Sequence, residues 1–179
     1  MQIDIIADTI CPWCYIGKRR LEQALALRPD TEAVARWRPF LLNPEMPPEG
    51  VDRATYLVQK FGSEAKVRRV YGAIADAGLS EEIDFAFDTI RQTPSSVDSH
   101  RLVRFAGDKA GDAVEALFQG YFLAGADIGE RDVLVDIGTS IGLDGTRLRA
   151  YLESDTNIDE VLGENARTHR LGINGVPAY

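Results

Sequence analysis

Cys11 and Cys14 are the only cysteines of the chain, and only Pro12 and Trp13 separate them. A thiol acts as a nucleophile or a leaving group only as its thiolate. Two thiols at this spacing can close into a disulfide and reopen, which is the chemistry of dithiol–disulfide exchange. An ordinary cysteine is only slightly ionised at neutral pH. A helix N-terminus changes that, because its unpaired N–H groups and about half a positive charge favour an anion. The pattern predicts Cys11 at the N-cap of a helix, pointing at those donors and the more exposed of the two. Cys14 is then one turn in and behind it. Cys11 is thereby assigned the attack on a substrate disulfide, and Cys14 the resolution of the mixed disulfide. Pro12 and Trp13 set the stiffness and the apolar surface beside the sulfurs, which makes them candidate substrate-binding residues.

The flanking sequence supplies elements to hold such a pair. Gln2–Ala7 reads as a strand, with β-branched Ile3, Ile5 and Ile6 and a break at Asp8-Thr9. A helix is predicted from about Cys11 to Leu27, with Pro12 suited to its first turn and Pro29 after its last. Val34–Leu42 reads as a second strand, and Pro39 marks its end as an edge or a bulge. Strand, helix and strand in this order form a βαβ unit with parallel strands.

Beyond the proline-rich connector Asn43–Gly50 the apolar spacing becomes helical. Helices are predicted at Arg53–Phe61, Glu64–Gly78, Val97–Lys109, Asp112–Ala124, Glu130–Ile141, Gly145–Glu153 and Ile158–Leu171. Ile83–Phe87 reads as a loop or one short strand. At the end, Gly172–Gly175 turns the chain, and Val176-Pro177 opens a strand in which proline is unwelcome.

Composition excludes several classes. The net charge of −8 argues against nucleic-acid binding, where Lys and Arg neutralise phosphates. No apolar run reaches the roughly 18–20 residues of a membrane span, and the first residues lack the pattern of a secretory signal. A cytoplasmic protein is expected. Two cysteines and two distant histidines, His100 and His169, fall short of a zinc site, so no metal is expected. Lys18-Arg19-Arg20 reads as a solvated helix face, His169 as a surface residue, and Trp37 and Phe40 as core.

The stretch ADTICPWCYIGKRRLEQAL (residues 7–25), with LGINGVPAY at 171–179, resembles the FrnE-like branch of the DsbA family of thiol-disulfide oxidoreductases. The resemblance spans the chain. It implies an α/β, thioredoxin-like fold with a large all-helical insertion, divided as residues 1–44 and 165–179 against 45–164. It places the family's redox pair on Cys11 and Cys14. Its substrate-binding cis-proline falls on Pro177, with Val176 before it. The segment TPSSVDSHRL (93–102) is similar to one of that branch, and brings His100. Were this segment to pack over the site, His100 could stabilise the Cys11 thiolate; a local hydrogen bond at a helix start is the plainer expectation. The fold so implied has a further strand and a terminal helix after the cis-proline, so a natural chain continuing past Tyr179 is expected.

The leading function is a thiol-disulfide oxidoreductase or isomerase acting on cysteine-containing proteins or small thiols. Glutathione is a candidate co-substrate and no other cofactor is expected. The alternative enzyme is a glutathione-dependent isomerase or transferase of the 2-hydroxychromene-2-carboxylate isomerase or kappa-class type. Those generally carry serine where this chain has Cys11. A peptide-binding chaperone module is the non-enzymatic alternative. The oligomeric state stays open, a dimer included.

Overall fold

The computed structural model describes all residues, Met1–Tyr179. Strand β1 (Gln2–Ala7) leads into helix α1 (Pro12–Ala26), which returns to β2 (Val34–Pro39). β1 and β2 pair in parallel, Gln2 opposite Val34 and Ala7 opposite Pro39. Val34 and Phe40 donate their N–H groups to Met1 and Ala7. By the alternation of a ladder, Pro39 faces the free edge, where its missing donor is not needed. That is why β2 can end in proline, three residues before the expected Leu42. On the other side of β1 a single antiparallel bridge joins Ile6 to Ala178.

Most of the remaining chain is helical: α2 (Arg53–Phe61), α3 (Glu64–Leu79), α4 (Val97–Ala106), α5 (Ala110–Phe118), α6 (Arg131–Ser140), α7 (Gly145–Glu153) and α8 (Ile158–Arg170). Side chains cap several starts: Asp52 accepts from the Thr55 N–H, Ser63 from Lys66 and Asp144 from Arg147. Gly62 ends α2 in the left-handed region at φ 89°, where a β-carbon would be strained.

Three features depart from the expected helical pattern. The insertion is not wholly helical, because β3 (Val51–Asp52) and β4 (Gln92–Thr93) pair antiparallel. The helix expected over Val97–Lys109 breaks at Gly107, whose φ of 56° stops it, and a 3-10 turn follows. The helix expected over Asp112–Ala124 begins earlier, and a π turn at Gln119–Leu123 extends it. Ile83–Phe87 contains no strand.

One apolar core spans the chain. Ile5, Ala7, Cys14, Tyr15 and Ile16 join Leu102, Leu117, Phe118, Phe122, Leu134 and Leu148 in a single buried cluster. Helix α8 runs unbroken through residue 165. Its Glu164 pairs with Arg104 of α4, and its Asn165 accepts from the Leu41 N–H.

Polar tethers clamp α1. Lys18 is 6% exposed, not solvated; it pairs with Glu22 and, at 2.6 Å, with Glu115 of α5. Arg19 also bonds Glu115, and Arg20 bonds Glu81 at 2.7 Å. The expected solvated face is therefore the means by which α1 is held to the insertion. No helix is long and apolar enough to cross a membrane.

Candidate active site

The turn between β1 and α1 is built on Asp8, which is fully buried. Its carboxylate accepts from the Leu42 N–H at 2.7 Å and the Ile10 N–H at 3.4 Å. Its carbonyl accepts from the Cys11 N–H at 3.1 Å. Cys11 is thereby fixed as the N-cap of α1 in extended backbone, with Pro12 in the first turn. The Cys14 N–H closes that turn on the Cys11 carbonyl at 3.0 Å.

Both cysteines are free thiols. The expected exposure contrast is nearly absent, since Cys11 is 4% exposed and Cys14 1%. Nor does the Cys11 sulfur take up the N-cap hydrogen bond. It lies 3.9 Å from the Val176 carbonyl and donates towards it. Burial pushes the Cys14 thiol well above its ordinary range, and a hydrogen bond and charge interaction with Cys11 push it further. The Asp8 backbone N–H opposes this without reversing it. Cys14 is thus the sulfur that keeps its proton.

Opposite the thiols the chain returns through Val176-Pro177, whose peptide bond is cis. Trp13, Ile16, Gly17, Arg20, Leu21, Val176, Pro177 and Tyr179 line a groove of about 430 Å³. Trp13 is 42% exposed at its rim. The structure therefore brings Cys11, Cys14, Pro12, Trp13, Val176 and Pro177 together.

His100 stands elsewhere. It is buried, with Nε2 3.2 Å from the Phe40 carbonyl and 3.5 Å from the Asp8 carboxylate. Its ring therefore supports the Asp8 turn from behind and makes no hydrogen bond to Cys11. Nor is its bond local, for Phe40 lies sixty residues away. His169 is exposed and packs its ring against Phe40, which is core, as expected; Trp37 is only partly buried. A larger cavity, about 520 Å³, lies between β2 and residues His100, Val103, Val114 and Phe118, and neither cysteine is among the residues lining it or the groove.

Sequence reasoning passed over Gly17. A β-carbon on Gly17 would stand 2.5 Å from the Tyr179 hydroxyl and 2.8 Å from Pro177 Cγ. A glycine in the middle of a helix was the available signal, because glycine is unfavourable there unless something approaches closely. No three His, Cys, Asp or Glu side chains stand together in a way that could hold a metal ion.

Comparison with known proteins places this arrangement. The model of the DSBA-like thioredoxin domain matches residues 2–179. A probable DsbA oxidoreductase from Streptomyces coelicolor superposes with a TM-score of 0.88 at 28% identity, over 99% of this chain and 78% of that one. The cytosolic disulfide reductase DsbM from Pseudomonas aeruginosa, solved with glutathione, shares the fold at 18% identity and TM-score 0.71, over 99% of this chain and 84% of that one. A 2-hydroxychromene-2-carboxylate isomerase does so at 14% identity and TM-score 0.72, over 99% and 83%. This chain belongs to the DsbA-like thioredoxin domain family.

Proposed function

We propose that the protein is a dithiol–disulfide oxidoreductase that exchanges disulfides with cysteine-containing proteins or small thiols, glutathione among them. The observation that carries this reading is the free Cys11 thiol at the mouth of α1, against the cis Val176-Pro177 segment, with a second free thiol, Cys14, one turn further along the same helix. The Cys11 thiolate attacks one sulfur of a substrate disulfide. A new S–S bond forms, the old one breaks, and its electron pair leaves on the second substrate sulfur. Cys14 then gives up its proton and attacks Cys11 in the mixed disulfide. The substrate leaves as a dithiol, and the Cys11–Cys14 pair is oxidised. Run backwards, the same steps oxidise a client.

The groove along Trp13 and Val176-Pro177 offers an extended substrate a largely apolar surface, and Val176, which lines it, has its carbonyl 3.9 Å from the Cys11 sulfur. Cysteine at position 11, with a second cysteine behind it, favours exchange over a glutathione-dependent isomerase, which needs no resolving thiol. The test is Cys14→Ser. It should accumulate mixed disulfides through Cys11 on non-reducing gels when offered oxidised glutathione or a disulfide protein, and Cys11→Ser should form none. Absence of an adduct in the first variant would end this reading.

A further inference from the structure

The larger cavity stands apart from the thiols, since neither cysteine lines it. Every residue of β2 from Val34 to Pro39 lines one side. A strand rises about 3.3 Å per residue, which makes the cavity ~16 Å long. Spread over that length, a volume of about 520 Å³ leaves a section of roughly 30 Å². A peptide laid against β2 as a further strand needs about 4.8 by 10 Å of section, more than the cavity offers. A single hydrocarbon chain is slimmer and fits.

The lining divides by chemistry. Val103 of α4, Val114 and Phe118 of α5 and Val161 of α8 are buried and form an apolar wall. Midway along, Glu164 of α8 is held between Arg104 at 2.7 Å and Arg38 at 3.8 Å, and Arg38 also reaches Asp4 at 3.5 Å, so these charges balance one another. Arg36 differs. It is exposed, and no carboxylate, that of Asp108 on the rim included, lies within 4.0 Å of its guanidinium. His100 marks the other end, because its Nε2 is 3.2 Å from the carbonyl of Phe40, the residue after Pro39. The Asp8 carboxylate is 3.5 Å from the same nitrogen. Two acceptors there place a proton on Nε2 and leave Nδ1 as a lone pair in the neutral ring. Nδ1 lies on the side of the ring away from those acceptors, and it has no partner in the protein although His100 is only 7% exposed. A buried polar atom without a partner calls for one, and the space beside this one is the cavity.

We propose that this cavity binds an extended, apolar carboxylic acid that carries a hydroxyl at its far end. The carboxylate pairs with Arg36 at the mouth. The chain lies between Trp37 and the wall of Val103, Val114 and Val161. The hydroxyl donates to His100 Nδ1. Burial of the chain supplies the affinity, and the two polar ends fix the orientation and select the ligand. No covalent step is involved, and the site does not depend on disulfide exchange at Cys11.

Trp13 and Trp37 are the only tryptophans, so Trp13→Phe leaves Trp37 as the reporter of the cavity. In that protein ω-hydroxydodecanoate, kept below its micelle concentration, should change the Trp37 emission saturably. Dodecanoate should bind about threefold to tenfold more weakly, for want of the hydrogen bond to His100. A hydroxyl buried without a partner would reverse that order, so equal or reversed affinities overturn the proposal. Arg36→Ala, a change at an exposed position, should weaken ω-hydroxydodecanoate by roughly tenfold; unchanged affinity overturns the role of the cation and the proposal with it. Gly111 of α5 faces the Trp37 indole, where an added β-carbon would stand 3.9 Å from Nε1, an ordinary contact. Gly111→Leu therefore fills the cavity without a backbone clash and should abolish the saturable change, with a cooperative thermal transition showing that the protein is folded. Saturation that survives Gly111→Leu, or no saturation in Trp13→Phe alone, also overturns the proposal. The comparison of the two acids needs no substitution in the cavity and decides the matter even if Gly111→Leu does not fold.

Discussion

Gly17 and Pro177 touch so closely that a β-carbon on the glycine would stand 2.8 Å from Cγ of the proline ring. The contact seats Val176-Pro177 against α1, one turn beyond Cys14. Gly17→Ala should favour the helix itself by up to about 1 kcal/mol. It also has to displace two neighbours. The Tyr179 hydroxyl can swing aside, but the Pro177 ring moves only with its backbone. Overpacking of this kind costs about 1–3 kcal/mol, so a net loss of up to about 2 kcal/mol is expected and the fold survives. The effect on geometry at the thiols is larger. Mixed-disulfide formation in Gly17→Ala should fall by roughly tenfold or more, while Tm falls by only about 2–8 °C. An unaltered rate would show that this contact does not set the site.

Glu115 is the second anchor of α1. It accepts from Lys18 at 2.6 Å, from Tyr15 at 3.0 Å, and also from Arg19. Glu115→Ala leaves the buried Lys18 ammonium with Glu22 alone. Breaking a buried pair by removing one partner is strongly destabilising, and about 3 kcal/mol is expected here. Burial raises the Glu115 carboxyl, but the Lys18 hydrogen bond and charge outweigh it and hold it below its ordinary value. A depressed folded-state value means stability that is present above the unfolded value of 4.5 and lost as pH falls through the folded one. Denaturant titrations of the two proteins should therefore converge as pH falls below about 4.5. A constant gap down to the acid limit would exclude Glu115 as the source.

The difference between these anchors and the thiols explains how much the sequence disclosed. β1 and α1 were legible because local signals coincide there: an isoleucine-rich run, a break at Asp8-Thr9, and proline at the first helical position. The bounds of α2 and α7 were legible too, since Gly62 and the capping Asp144 mark them. β3 and β4 were not, because two residues carry no periodicity. Lys18 read as solvent-facing because its partner Glu115 lies 97 residues away. His100 misled for the same reason, as its partners Phe40 and Asp8 are distant in sequence. The pair proposed to react is suggested by four residues, whereas the groups that hold it in place are set by tertiary contacts.

Cys14 provides the sharpest dependence on pH. Its thiol is raised well above the ordinary value of 9.0, first by burial and then by Cys11. A raised folded-state value favours the proton in the native state. Between the unfolded and folded values the native protein holds a proton that the unfolded chain has lost, so stability falls as pH rises through this window. The reduced protein should therefore lose stability above about pH 9. Cys14→Ala, which removes the titrating group, should lack that loss between about pH 9 and 10, below the range in which the raised tyrosines Tyr15 and Tyr121 begin to contribute the same effect. The same burial should make Cys14 the slower thiol to alkylate with iodoacetamide at neutral pH, while Cys11 reacts first. Mass mapping of the modified peptides after short exposures, beside urea titrations from pH 7 to about 10 on reduced protein, reads both effects. Equal labelling of the two cysteines, together with a flat stability profile that Cys14→Ala does not alter, would mean that Cys14 is not the sulfur that retains its proton. The division of labour between attacking and resolving thiols would then have no basis in this site.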